Sequence, residues 1–201
     1  MTAILSPPLA TENTIRKQPA NGESSAIELL ESERETLAIV QELRTDPEWE
    51  MWSLPEGIRG EHHLTLHSLR GEGKLALDPL VFHGRDKKQA VIVTHLGHGL
   101  CGHPKIIHGG LLATLLDEAF GIIALPNLPG NVGFTANLNI NYRRPCFSNQ
   151  FVVIRSKLEK LEGRKAYTEA SISDLEGNVF VDGTSLFVSP KKKEEDMIKL
   201  E

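Results

Sequence analysis

The spacing of apolar residues shifts repeatedly along this chain, and each shift marks an element. From Ser25 to Arg44, Ile27, Leu30, Leu37, Val40 and Leu43 recur near helical spacing with charges between them. That pattern predicts an amphipathic helix, ended by Asp46-Pro47. Trp49 and Trp52 follow and are placed to pin this preface onto the main body. Strand-like stretches come next at His63–Leu69, Leu80–His83 and Ala90–His95, and a long apolar segment runs from His108 to Leu125. Four strand-like runs close the pattern: Val132–Tyr142, Gln150–Leu161, Arg164–Ser173 and Val179–Ser189, with turns at Gly163 and Glu176-Gly177-Asn178. The expectation is an α+β fold, an antiparallel sheet around one long central helix, with an N-terminal helical preface.

The same shifts divide the chain into a loose arm at 1–24, a helical preface at 25–58, a main domain at 59–190 and a charged tail at 191–201. A length of 201 residues with 40% hydrophobic composition suits one domain with a sizeable core. The net charge of -5, with no basic stripe interleaved with aromatics, argues against nucleic acid as a partner. Local positive clusters still suit a phosphorylated small molecule. Two cysteines, Cys101 and Cys146, stand far apart and predict a reducing compartment rather than a disulfide framework. No apolar run reaches the ~20 residues of a membrane span. Met1 to Leu9 lacks a positive n-region and contains Pro7 and Pro8, unlike a secretory signal. The C-terminal Lys199-Leu200-Glu201 is not a peroxisomal ending. Cytoplasm is the expected compartment; Arg16 and Lys17 leave a faint mitochondrial alternative, diluted by Glu12 and Glu23.

Within the apolar segment, Leu111 to Leu125 is greasy on nearly every side and reads as a buried central helix. Gly110, Thr114, Asp117 and Gly121 fall at i, i+4, i+7 and i+11, one narrow stripe of small or short polar residues. The stripe leaves room beside the helix and points Asp117 into it, with Glu118 off the stripe at the helix flank. A buried carboxylate is costly unless it is hydrogen-bonded or takes up a proton, so Asp117 is either tied to a neighbouring strand or kept for chemistry. His108-Gly109-Gly110 opens the helix. Its unpaired amides and the positive end of the dipole suit a carbonyl oxygen that gains negative charge, as in acyl transfer, and equally suit a tight turn. Asp117 lies eight residues past Gly109, roughly 12 Å along the axis. Joint action on one acyl carbon therefore requires the acid of one subunit and the helix start of another, which predicts a homodimer.

Val132, Phe134, Ala136, Leu138, Ile140 and Tyr142 alternate with Gly133, Thr135, Asn137, Asn139, Asn141 and Arg143. The first set is the expected core face. The second is a polar row ending at Arg143-Arg144-Pro145, suited to a solvated or subunit-facing surface or to a site. In the latter case Thr135 serves the chemistry, Asn137 and Asn139 contact substrate, and the arginines hold phosphate. Thr135 reaches Asp117 only through a bulge or a subunit contact.

His108-Gly109-Gly110, Asp117 nine residues after the histidine, and the run from Thr135 through Asn141 to Tyr142-Arg143-Arg144-Pro145 together resemble the hotdog-fold acyl-CoA thioesterases. The likeness is to the phenylacetate-degradation and thioesterase-superfamily-member type, in their fungal branch, and covers roughly residues 60–190. It implies a helix wrapped by an antiparallel sheet and paired into a dimer or tetramer. The implied substrate is acyl-CoA or a carrier-bound acyl thioester, with coenzyme A as part of the substrate and no separate cofactor. By the same resemblance Asp117 is the general base or nucleophile and Thr135 positions water. The backbone of Gly109 or Gly110, with His108 nearby, supplies the oxyanion donors, and Arg143 and Arg144 lie near coenzyme A phosphates. One departure stands out: where some relatives carry Asn or Gln about six residues before the histidine, this chain has Gly102 and His103.

Two rivals remain at this level. His95, His98, Cys101, His103 and His108 cluster in sequence, yet their spacing fits no standard zinc pattern, and no metal is expected. The same fold also hosts non-catalytic acyl-binding modules and hydroxyacyl-thioester dehydratases, and His108 with Asp117 keeps the latter open. Leu111, Leu115, Phe120 and Phe134 are the expected pocket walls.

Overall fold

Eight core-facing residues on one helix organise the molecule. In the computed structural model, residues 21–53 and 62–191 are described; the tail beyond Lys191 and nearly all of the expected arm lie outside them. Helix α3 (Gly109–Asn127) buries Leu111, Leu112, Leu115, Leu116, Ala119, Phe120, Ile123 and Ala124. Around it curls a seven-stranded antiparallel sheet of β1 (Trp49–Trp52), β2 (Leu80–Gly84), β3 (Gln89–Leu96), β6 (Phe134–Tyr142), β7 (Gln150–Glu162), β8 (Lys165–Ser173) and β9 (Val179–Val188). Their order is β1-β2-β3-β7-β8-β9-β6, so β1 and β6 are the edges. A two-stranded hairpin, β4 (Cys101–His103) and β5 (Ile106–Ile107), leads into α3. This is the expected hotdog arrangement. At 19 residues α3 has the length and hydropathy of a membrane span, contrary to the sequence reading, but here the sheet wraps it as a core helix.

The preface forms two helices, α1 (Asn21–Thr36) and α2 (Ala38–Thr45), because Leu37 takes an extended conformation between them. Asp46 caps α2 just before Pro47, whose ring disfavours helix in the preceding residue. Ile27, Leu30, Leu37, Val40 and Leu43, the apolar face expected from sequence, pack on Phe82, Val91, Val93, Phe151 and Val153. These sheet residues point away from α3. Strands β3 and β7 thus have both faces covered, which explains their nearly unbroken burial. Trp49 and Trp52 do more than pin the preface, since they bound β1 and pair with Gly84 and Val81 of β2.

Along α3 the expected stripe stays open: Gly110 is exposed and Thr114, Asp117 and Gly121 are half-buried. Two expectations need correction. The stretch His63–Leu69 is not a strand but contains a π-helical turn over Leu64–Ser68. Its period-two pattern is overridden locally, because His63 Nδ1 accepts the Leu66 N–H (3.3 Å) and the backbone closes tight turns behind it. Second, the clean alternation of β6 breaks. The pairing moves from Thr135↔Phe187 to Asn137↔Leu186, leaving Ala136 as a bulge. Thr135 therefore joins Leu138, Ile140 and Tyr142 on the helix side, and Phe134 turns outward with Asn137, Asn139 and Asn141. As an edge strand β6 buries little, and Phe134 is 54% exposed.

Under the preface, His95 is buried against Phe151 (ring centroids 5.1 Å apart), and its Nδ1 has no partner. Burial lowers its pKa from 6.5, opposed by the charge of Glu33 on α1. The unfolded chain thus binds a proton that the folded one resists, so stability present at neutral pH is lost as pH falls below 6.5. His95→Phe is expected to flatten that loss, measured as the drop in Tm between neutral and mildly acidic buffer; an unchanged drop would clear His95 of the effect.

Candidate active site

The bulge at Ala136 is what assembles the site. With Thr135 turned inward, its hydroxyl donates to Asp117 Oδ1 at 2.8 Å. The carboxylate is half-buried and tied by a side chain, not by the main chain of a strand. Both residues line a cavity of about 470 Å³, within the ordinary range for small-molecule sites. Its walls are mainly apolar: Leu115, Ile122 and Leu125 of α3, Val81 and Ile92 of the sheet, Ile154, and Phe187 of β9. Gly121, on the stripe expected from sequence, lies among them. Of the four pocket walls expected, only Leu115 is present. Leu111 and Phe120 point into the core, and the bulge sends Phe134 to the outer face.

The start of α3 is built around His108. As N-cap, its Nδ1 accepts the Gly110 N–H at 2.9 Å, so the proton of the neutral ring is on Nε2. That bond consumes one of the two amides expected as oxyanion donors. The Gly109 N–H makes no such bond among the described residues. Glycine at 102 is required by the same ring, since a Cβ there would stand 2.8 Å from His108 Cδ2. The departure noted at this position is thus a packing requirement: a side chain would displace His108 and its cap. Tyr142 Oη, from the inward face of β6, donates to the Gly109 carbonyl at 2.8 Å and holds strand and helix start together.

Asp117 and this helix start are not brought together within one chain, being two turns of α3 apart. The arginines lie farther on. Arg143 pairs with Asp182 through Nε (2.5 Å) and Nη2 (3.1 Å), and holds that carboxylate below its usual range. Arg144 donates to the Val179 carbonyl (3.1 Å) and covers the Phe180 ring. Asn139 donates to Asn137 Oδ1 (2.6 Å) on the outer face of β6.

Sequence reasoning missed several cavity residues. Trp52, His63, Thr65 and His83 all contribute, delivered by β1, the π-helical turn and β2. Glu118, expected at the flank, faces the same cavity. Only the adjacency of two acids on one helix hinted at it. His83 is held toward its neutral form by burial and by the charge of Lys87. Burial pushes the Cys146 thiol up to about 12, with the charges of Asp174 and Cys101 adding to it. The histidine-rich stretch disperses: His95 lies under the preface, His98 packs on Gly73, and His108 caps α3. Among the described residues, no three His, Cys, Asp or Glu side chains gather as a metal-holding group.

A family model described as the thioesterase superfamily matches residues 104–181. Two Schizosaccharomyces pombe proteins are similar to the chain. A UPF0644 protein is 32% identical over 81% of this chain and 65% of its own length. An uncharacterized protein is 30% identical over 76% and 88%. The acyl-coenzyme A thioesterase THEM4 of Bos taurus is 37% identical over 58% of this chain and 48% of its own. The uncharacterized mitochondrial membrane protein FMP10 of Saccharomyces cerevisiae is 35% identical over 59% and 49%. The chain thus spans about half the length of the latter two. Among solved structures, a thioesterase superfamily protein aligns with a TM-score of 0.52 at 23% identity, over 88% of this chain and 82% of that one, which shows the shared fold. The chain thus shares that fold, and the thioesterase-superfamily pattern runs through it from the hairpin before α3 into β9.

Proposed function

We propose that this protein hydrolyses acyl thioesters, with acyl-CoA as substrate, releasing a free carboxylic acid and a thiol. The observation that carries the reading is the Thr135–Asp117 hydrogen bond of 2.8 Å at the wall of an apolar cavity. Thr135 occupies one carboxylate oxygen and orients the group, leaving the other to take a proton from water. The water oxygen bonds to the acyl carbon, and the carbonyl oxygen becomes negative. The carbon–sulfur bond then breaks, and the thiolate leaves with the proton held by Asp117. An amide at the start of α3 stabilises the oxyanion. Gly109 is that donor in this reading, since the Gly110 amide is taken by His108.

Because those groups are separated along one helix, the working unit in this reading is a homodimer with two equivalent sites. Leu138 and Tyr142, exposed on the inward face of edge strand β6, and the half-open stripe of α3 form the surface for the second copy. Arg144 is our first candidate for a coenzyme A phosphate; Arg143 shares its charge with Asp182. Asn137 and Asn139 are candidates for polar contacts to the same arm. The mitochondrial name of the FMP10 relative favours a mitochondrial compartment over the cytoplasm, and subcellular fractionation would check it.

Asp117→Asn is expected to lower thiol release from acyl-CoA by a factor on the order of 10² or more, within the range for loss of a positioned base, with the fold intact by circular dichroism. Unchanged release would remove Asp117 from the mechanism. Gly109→Pro keeps a residue tolerated at the first helical position but deletes the N–H. Each variant alone is expected to be inactive. Refolding the two together in equal amounts is expected to restore roughly a quarter of normal activity, because half the dimers carry one intact site of two. No recovery would argue that each chain acts alone.

A further inference from the structure

The cavity holds a second polar station that hydrolysis does not use. Glu118 follows Asp117 on α3 and lines the same space, and its Oε1 accepts a hydrogen bond from the Thr65 hydroxyl at 3.1 Å. Thr65 Oγ1 also lies 3.3 Å from His63 Nδ1. Because His63 Nδ1 accepts the Leu66 N–H, the proton of the neutral ring is on Nε2. The π-helical turn therefore sets a hydroxyl between an imidazole ring and a carboxylate acceptor, inside an otherwise greasy space. Single π-type turns of this kind recur at functional sites.

A plain alkyl chain lying over this station strips water from both groups and replaces neither bond. A keto oxygen can only accept. A second carboxylate would meet like charge at Asp117 and Glu118. A hydroxyl answers the carboxylate, donating to the acceptor capacity of Glu118 that Thr65 leaves open. Asp117 and Glu118 line the same cavity from consecutive positions on α3, so a hydroxyl at Glu118 falls within a few bonds of the thioester carbon. We infer that the Glu118–Thr65–His63 station selects acyl chains hydroxylated near the thioester, an inference that rests on the hydrolase reading and names its substrate class.

The test compares 3-hydroxydodecanoyl-CoA with dodecanoyl-CoA on the purified full chain. Thiol release should favour the hydroxylated substrate in kcat/KM by about tenfold, the scale of one buried hydrogen bond between matched groups. Glu118→Gln and Thr65→Val should each bring that ratio toward one, mainly through a higher KM for the hydroxylated substrate. Equal turnover of the pair by the unaltered protein overturns the inference, as does a variant that slows both substrates alike. If no acyl-CoA releases thiol, the hydrolase reading fails instead, and calorimetry with the two intact thioesters decides the station by itself. Tighter binding of 3-hydroxydodecanoyl-CoA, lost in Glu118→Gln, supports it, and equal binding refutes it.

Discussion

The structure depends on a helix packed around only part of its circumference. Leu112, Leu116, Ala119 and Phe120 lock α3 into the sheet, while Thr114, Asp117 and Gly121 stay half-open on another side. Full enclosure would force the carboxylate either to neutralise or to be tied off on every side. Full exposure would leave it an ordinary surface acid. The intermediate position lets Thr135 hold one oxygen and leaves the cavity to the other. The curl of the sheet, the edge position of β6 and the bulge at Ala136 all serve that placement.

Much of this was legible in the sequence, for identifiable reasons. The helix, the last four strands and the preface face followed from apolar spacing, because burial on one face or on all faces leaves a period that composition cannot disguise. The stripe from Gly110 to Gly121 located the open side of α3, and the family pattern named Asp117 and Thr135. What could not be read was the change of face within β6. One extra residue inverts every side chain beyond it, and the sequence through Ala136 carries no mark of that insertion. Phe134 was assigned to the pocket for this reason and lies outside. The turn after His63 escaped for a related reason, since alternation there imitated a strand while a side-chain acceptor closed the backbone.

The preface alters the economy of the fold. By covering Phe82, Val91, Val93, Phe151 and Val153, α1 and α2 give the sheet a second hydrophobic layer where a solvated face would otherwise stand. Between α2 and β2, strand β1 and the π-helical turn contribute Trp52, His63 and Thr65 to the cavity. Segments outside the stretch matched by the family model thus shape the pocket, while the matched stretch carries the acid.

Cys146 carries a quieter corollary of the same packing. Exchange between sulfhydryls requires a thiolate. Burial pushes the Cys146 thiol up to about 12, so its sulfur offers no foothold for a mixed disulfide. The core is thereby insulated from the redox state of any thiol pool around it.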